Sequence, residues 1–393
     1  MDPLLVTAAT ALAAWLYLAL GHGRFWQGDC ELESAEAPPG PWPAVTAIVP
    51  ARDEEACIVR SVSSLLEQDY PGDFRIVVVD DQSSDATSKL ARELAAQHRR
   101  GERLHVLSTP PRPPGWVGKM WAVETGVRHA LATRGEQGSP AWLLLSDADV
   151  EHSPANLHRL VSKGRADRLD LVSLMVRLHC ASLWERLLVP AFVYFFQKLY
   201  PFPRINDPRS RVAGAAGGCM LVRREALERV GGIPRIRGEV IDDCALGKAL
   251  KENGPIWVGL TSSETSFRPY EGLRDLWDMV ARSAYTQLKH SPVLLVGTVL
   301  GLGLLYGAPP GLALSLPLHG DVSTAALAGA AWLVASATYR PTLRRYGLSA
   351  ARAPLLPVAG ALYLAMTLDS ARRHALGRGA RWKGRDRAGD GAA

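Results

Sequence analysis

Cysteine is scarce in this chain. Five are scattered over 393 residues, at positions 30, 57, 180, 219 and 244, with no CxxC pair and no metal-ligand spacing. That pattern leaves reduced thiols in a cytosolic domain as the expectation. Basic residues are missing from the extreme N-terminus: Met1-Asp2-Pro3 leads directly into the uncharged run 4–20, and His22 and Arg24 lie behind it. A cleaved signal peptide has the opposite order and a small-x-small site, absent here, so an uncleaved anchor over 1–23 is expected. The positive-inside rule then puts the N-terminus outside and residue 24 onward in the cytoplasm.

Charge is also missing from stretches near 291–318, 323–338 and 354–368. Roughly 17–25 such residues suffice to cross a bilayer, whereas a pump or carrier needs ionisable groups within its spans. No aromatic or recognition-helix pattern accompanies the basic residues, so nucleic acid is not an expected partner. No internal repeat is present.

The charge that is there is segregated. The chain carries a net +6, but from Arg340 onward eleven Lys and Arg face three Asp, so the remainder is slightly acidic. Arg344-Arg345, Arg372-Arg373 and the Arg381-Lys383-Arg385-Arg387 run are suited to anionic head groups, or simply to a solvated tail over 371–393. Residues 24–43, Pro-rich from 31, read as a linker.

From 44 to 290 the pattern changes. Strands are predicted over 44–52, 74–81, 103–109 and 141–149, with helices over 55–67, 85–100 and 117–133 between them. Near-continuous apolar runs alternating with helices predict a mostly parallel sheet covered on both faces. In such sheets ligands bind outside the carboxyl ends of the strands. Those ends carry Arg52-Asp53-Glu54, Asp80-Asp81 and Asp147-Ala148-Asp149. The stretch 183–199 has helical apolar spacing and reads as a core helix or one lying on a membrane surface.

Three constellations carry candidate chemistry. Asp147 and Asp149 alternate after the strand Trp142–Ser146, which places both carboxylates on one side of an extended segment; hard oxygens suit Mg²⁺ or Mn²⁺ together with diphosphate oxygens. Asp80 and Asp81 precede Ser83, Ser84, Asp85 and Thr87, where Ser84 or Asp85 reads as a helix cap and an aspartate can accept from a nucleobase imide or a ribose hydroxyl. Asp242 and Asp243 open an amphipathic helix, either to complement its positive end or to supply a general base.

The order PARDEE, VVVDDQSSDAT, LLLSDAD, GGCMLVRREALERVGG and IDDCALG resembles glycosyltransferase family 2 over about residues 44–290. Within that family the chain is similar to bacterial hopene-associated glycosyltransferases and the ceramide glucosyltransferase group. The resemblance implies an α/β GT-A domain with membrane helices at both termini, in a multi-pass protein of the bacterial inner membrane. It implies inverting transfer of one sugar from a UDP-sugar to a lipid hydroxyl, a hopanoid or polyprenyl-type lipid. It also implies Asp53 and Asp81 at the uridine, Asp149 as metal ligand with Asp147 turned toward the sugar, and Asp243, beside Asp242, as base. Lys119 matches a lysine near the nucleotide, and Gly217-Gly218 a loop beneath the donor sugar. Pro50, Arg52, Glu55 and Asp80 complete the candidate donor contacts. Processive members carry QxxRW; here Arg282 to Leu288 has no closing Trp, which argues for a single transfer and leaves open whether Arg282 or Gln287 approaches the diphosphate. PARDEE holds no glycine, against a nucleotidyltransferase phosphate loop. Three C-terminal spans would put the last basic run outside, so 291–318, broken by Pro309-Pro310, is expected to be a hairpin pair.

Overall fold

A computed structural model describes residues 2–32, 40–133 and 138–377. It divides into an α/β unit, within 30–179 and 204–268, and a helical unit, 2–29 with 180–203 and 269–377. The chain thus passes between units several times, in contrast to the linear segments read from the sequence. The linker is shorter at its front than expected: Glu31 bridges Leu260 and Leu32 is buried, so the α/β unit begins near Cys30. The basic run 381–387 lies outside the described residues.

The α/β unit is built on one eight-stranded sheet. Its strands are β1 (Val45–Ala51), β2 (Phe74–Asp80), β3 (Leu104–Ser108), β4 (Trp142–Ser146), β5 (Val150–Glu151), β6 (Leu171–Leu178), β7 (Cys219–Arg223) and β8 (Ile256–Ser266). They lie in the order β3-β2-β1-β4-β7-β6-β8-β5. β1, β2, β3 and β4 run parallel, as does β6 with β8, while β7 opposes both its neighbours and β5 opposes β8. The sheet is mixed but mostly parallel, as the apolar runs predict.

Every residue of β1 and β4 is buried, because helices cover both faces and leave no solvent side for polar alternation. The helix Gly118–Ala132 lies close on β1: a Cβ on Gly126 would stand 2.6 Å from Ile48 Cγ2. Pro50 sits in a central strand without breaking a ladder to β4, since that pairing stops at Ile48 with Leu145. A proline there costs nothing on the β4 side and leaves the strand end open.

In the helical unit, aromatic rings form much of the interior. Trp15 meets Tyr306 edge-on at 5.4 Å, Tyr194 meets Tyr339 at 5.3 Å, and Phe195 meets Tyr363 at 5.2 Å. The predicted helix at 183–199 is present as Leu183–Leu199, opened by a Ser182–Glu185 capping box and carrying Pro190 within it. Among the described residues, four helices are long and apolar enough to cross a membrane: Pro3–Leu20, Pro292–Leu314, Val322–Arg345 and Ala350–Ala375.

The expected hairpin over 291–318 is not formed. Residues 292–314 run as a single helix, with a π-helical turn at Gly303–Gly307 immediately before Pro309-Pro310. The widened turn accommodates prolines that lack N–H groups and would otherwise clash with the preceding carbonyls. Arg372 and Arg373, read as head-group contacts, pair instead with Asp369, and Arg373 also with Asp278.

Candidate active site

The acids at the strand ends fall into two sets that differ in what neutralises them. The first set lies on the loops after β1 and β2 and is bound chiefly to backbone N–H groups and hydroxyls, with Arg52 farther off, 3.8 Å from Asp53 and 4.0 Å from Asp81. Asp53 accepts from the Ser84 N–H at 2.7 Å and the Ser84 hydroxyl at 3.1 Å, while its own N–H donates to Ser83 Oγ at 3.0 Å. The Glu55 N–H donates to Asp85 at 3.0 Å, and the Glu55 carboxylate accepts from the Ala86 N–H at 3.1 Å. Asp53 and Gln82 take left-handed φ values of 49° and 54°, which these turns require. The Ser84 N–H, its leading cause, holds the Asp53 carboxyl below its usual range.

Asp85, rather than Ser84, supports the helix that begins at Thr87, accepting from the Thr87 N–H at 2.9 Å. Asp80 accepts from the Ser83 N–H at 3.2 Å, and buried Asp81 accepts from the Thr109 hydroxyl at 3.0 Å. The Arg52 guanidinium donates to the carbonyls of Asp81, at 2.5 Å, and Gln82, at 3.1 Å. These residues knit the β1 and β2 loops into one platform.

The second set is paired with side-chain cations. Lys119, in the first turn of the Gly118–Ala132 helix, places Nζ 3.0 Å from Asp147 Oδ1 and 3.1 Å from Asp242 Oδ2. Burial alone would lower its ammonium, but Asp147 and Asp242, with Asp243 behind them, outweigh that and hold it above the usual lysine range. Asp149 accepts from the Ser266 hydroxyl at 3.2 Å and from Arg268 Nε at 3.0 Å. The same guanidinium also donates to Glu54.

Asp147 and Asp149 therefore do not share one side of an extended segment. The chain turns at 148–149 after β4 ends, Ala148 is buried, and the two carboxylates face different cations. Beneath this turn, His152 bonds Ser146 Oγ at 2.8 Å and Asn156 at 3.0 Å, and burial pushes its imidazole down to about 4. It is thus a neutral prop, fixed by both ring nitrogens.

Asp243 is the second residue of the helix Asp242–Lys251. Its carboxylate accepts from the Gly217 N–H at 3.0 Å and the Cys244 N–H at 2.7 Å. Burial, and then the neighbouring Asp242 charge, push it up to about 6. Gly218 is small for packing reasons, since a Cβ there would stand 2.8 Å from Val176. Pro50, Lys119, Asp147, Gly217 and Asp242 line one cleft with an empty volume of about 320 Å³.

Arg282 and Gln287 belong to the helical unit. Arg282 closes the helix Leu273–Ala281, and the Gln287 amide donates to Tyr200 at 2.6 Å. Among the described residues no three His, Cys, Asp or Glu side chains converge as a preformed metal cage. Arg268 and His152 are not singled out by the sequence, and Glu54 only as one of the acids at a strand end. Arg268 is a single arginine beyond a strand, and only the pairing of β5 with β8, Val150 opposite Ser266, brings it to Asp149.

Fold and site together define a mixed α/β domain with a charged cleft beside the carboxyl ends of its parallel strands. Residues 46–231 match the family model "Glycosyl transferase family 2", so this segment resembles a family 2 glycosyltransferase domain. It is similar to 4,4′-diaponeurosporenoate glycosyltransferases of Staphylococcus haemolyticus, 28% identical over 108 residues (28% of this chain, 24% of the relative), and of Staphylococcus aureus, 33% identical over 108 residues (27% and 24%). The chain spans about a quarter of the length of these relatives. Among solved structures it is similar to a mannosyltransferase of Pyrobaculum calidifontis in complex with GDP-Man and Mn²⁺. That match has a TM-score of 0.60 and 20% identity, over 95% of this chain and 99% of the other. It establishes the shared GT-A fold.

Proposed function

We propose that this chain is a membrane-bound inverting glycosyltransferase that moves one sugar from a nucleotide-sugar, a UDP-sugar, to a lipid hydroxyl. The observation that carries this reading is the Asp243 carboxylate. Two backbone N–H groups orient it, and it is pushed up to about 6, in the range where a base works at neutral pH. Asp243 takes the proton of the acceptor hydroxyl as its oxygen attacks the anomeric carbon, and the nucleoside diphosphate leaves from the opposite face. Lys119 anchors Asp147 and Asp242 on the cleft wall, where it fixes the geometry before the donor arrives. Such prior positioning and charge placement supply most of the rate in transfers of this kind.

A divalent metal fits the residues present. Asp149 and Asp147 offer hard carboxylate oxygens, and Mg²⁺ or Mn²⁺ sites use one or two of these completed by phosphate oxygens and water. Bound there, the ion would neutralise the departing diphosphate. The Mn²⁺ in the Pyrobaculum complex supports this choice.

The acceptor reading rests on the apolar helices and the relatives. Four helices suited to a bilayer favour an acceptor lodged in the membrane. A hopanoid or polyprenyl-type lipid fits the sequence resemblance, and the staphylococcal proteins are named for a long isoprenoid acid. That name motivates a second reading, in which the acceptor group is a carboxylate and the product an ester. A carboxylate is ionised at neutral pH and needs no base.

The test is to incubate membranes holding the full chain with a labelled UDP-sugar and extract the lipids. Labelled lipid and released UDP are expected, with the label stable to mild alkali for a hydroxyl acceptor and lost for an ester. UDP release without labelled lipid would end the lipid-acceptor reading. Reporter fusions after Arg345 and Arg387 would define the topology, proposed as multi-pass in the bacterial inner membrane with the α/β unit cytoplasmic.

A further inference from the structure

The Asp149 carboxylate, proposed above as the metal ligand, is already held by a cation from this chain. Arg268 lies two residues beyond the end of β8, and the pairing of Ser266 with Val150 delivers it to the β4–β5 turn. Its Nε stands 3.0 Å from Asp149 Oδ2, and its other arm reaches Glu54 on the loop after β1. Glu54 and Asp149 have side chains only 9% and 18% exposed. An arginine guanidinium stays protonated at any working pH, so this positive charge is permanent.

A divalent ion arriving at Asp149 meets a positive charge already seated on its ligand. Two cations cannot share one carboxylate in a partly dehydrated site without strong repulsion. A diphosphate removes that conflict, because it brings several anionic oxygens that suit the planar fork of an arginine.

We infer that Arg268 is a positioning residue that makes metal binding conditional on the nucleotide. With no donor present it holds Asp149 against Glu54 and opposes the metal. When the diphosphate enters, the guanidinium exchanges Asp149 for phosphate oxygens and the metal takes the carboxylate. Metal and nucleotide then bind with positive coupling, each raising the affinity of the other by the same factor. This rests on the reading of Asp149 as a metal ligand.

The test is a Mn²⁺ titration of the full chain in nanodiscs, with free Mn²⁺ followed by electron paramagnetic resonance, with and without UDP. Wild-type protein is compared with Arg268→Gln and Glu54→Gln, each checked for an unchanged circular dichroism spectrum. Without UDP, Arg268→Gln is expected to bind Mn²⁺ about tenfold more tightly than wild type, and the enhancement by UDP to shrink by a similar factor. Glu54→Gln leaves Arg268 to Asp149 alone, so Mn²⁺ without UDP is expected to bind no more tightly than in wild type. Equal Mn²⁺ affinity in wild type and Arg268→Gln without UDP would overturn the inference. So would tightening in both variants, which would indicate general loosening of the site. Absence of Mn²⁺ binding by all three proteins, even with UDP, would instead overturn the metal reading itself and the inference with it.

Discussion

The two sets of acids at the strand ends of the α/β unit have similar composition and opposite surroundings. Asp53, Glu55 and Asp85 are satisfied by backbone N–H groups and hydroxyls shared between the β1 and β2 loops. Asp147, Asp149 and Asp242 are paired with Lys119 and Arg268, brought from distant parts of the chain. A carboxylate satisfied by backbone amides holds a turn and cannot be released without unfolding it. A carboxylate paired with a side-chain cation can exchange that partner for a metal, a phosphate or a sugar hydroxyl. Asp243 stands between the classes, oriented by amides yet raised by its acidic neighbour.

This contrast can be broken at its strongest point first. Asp243→Asn keeps the shape and removes the base, so transfer to a hydroxyl acceptor is expected to fall about 10²–10⁴-fold. UDP affinity, read by calorimetry on the same protein, should change by less than about threefold. A variant with full turnover would favour the carboxylate acceptor.

Lys119→Met tests whether the cation-paired set is functional. It leaves Asp147 and Asp242 facing each other, so transfer should fall about 10²-fold. Folding should weaken by about 2 kcal/mol, discounted from the cost of a fully buried pair because Lys119 is partly exposed. If the thermal midpoint drops while the rate per folded molecule is unchanged, Lys119 serves structure alone.

A smaller effect follows from pH. Asp243 works as a base only when ionised, and its pKa is raised to about 6. Activity should therefore be full above that value and decline as pH falls through it, about tenfold per unit below it. A rate that stays level down to pH 4.5 would assign the base elsewhere.

The smallest effect on chemistry is expected from the backbone-bound set. Asp85→Ala removes bonds to the Thr87 and Glu55 N–H groups and should cost about 1–2 kcal/mol, as cap deletions do. The rate per folded molecule should stay within about twofold of wild type. A large loss of rate at unchanged stability would move Asp85 into the functional set.

Much of the α/β unit was legible before its structure. The strands near 45–51, 74–80, 104–108 and 142–146 and the helices between them match the reading of apolar runs and turns within a few residues. Lys119, Asp147 and Asp242, each named from its motif, line one cleft. Two features were misread, one through a contact distant in sequence and one through a local turn. The alternation at Asp147 and Asp149 suggested an extended segment, but the chain turns there to pair with β8. Pro309-Pro310 suggested a reversal, but a π turn absorbs the pair within one helix. Glu54, not among the donor contacts expected from the sequence, meets Arg268, while the Glu55 carboxylate accepts from the Ala86 N–H.

Where this chain is apolar and regular, and which acids follow its strands, can be read from the residues alone, because apolarity and backbone periodicity are local properties of a run of residues. Which partner each acid takes is set by the folded arrangement. The assignment of Lys119 to Asp147 and Asp242, and of Arg268 to Asp149 and Glu54, depends on sheet register and helix docking. A charge takes whichever partner those long-range contacts bring within reach, and nothing in its neighbouring residues encodes that choice.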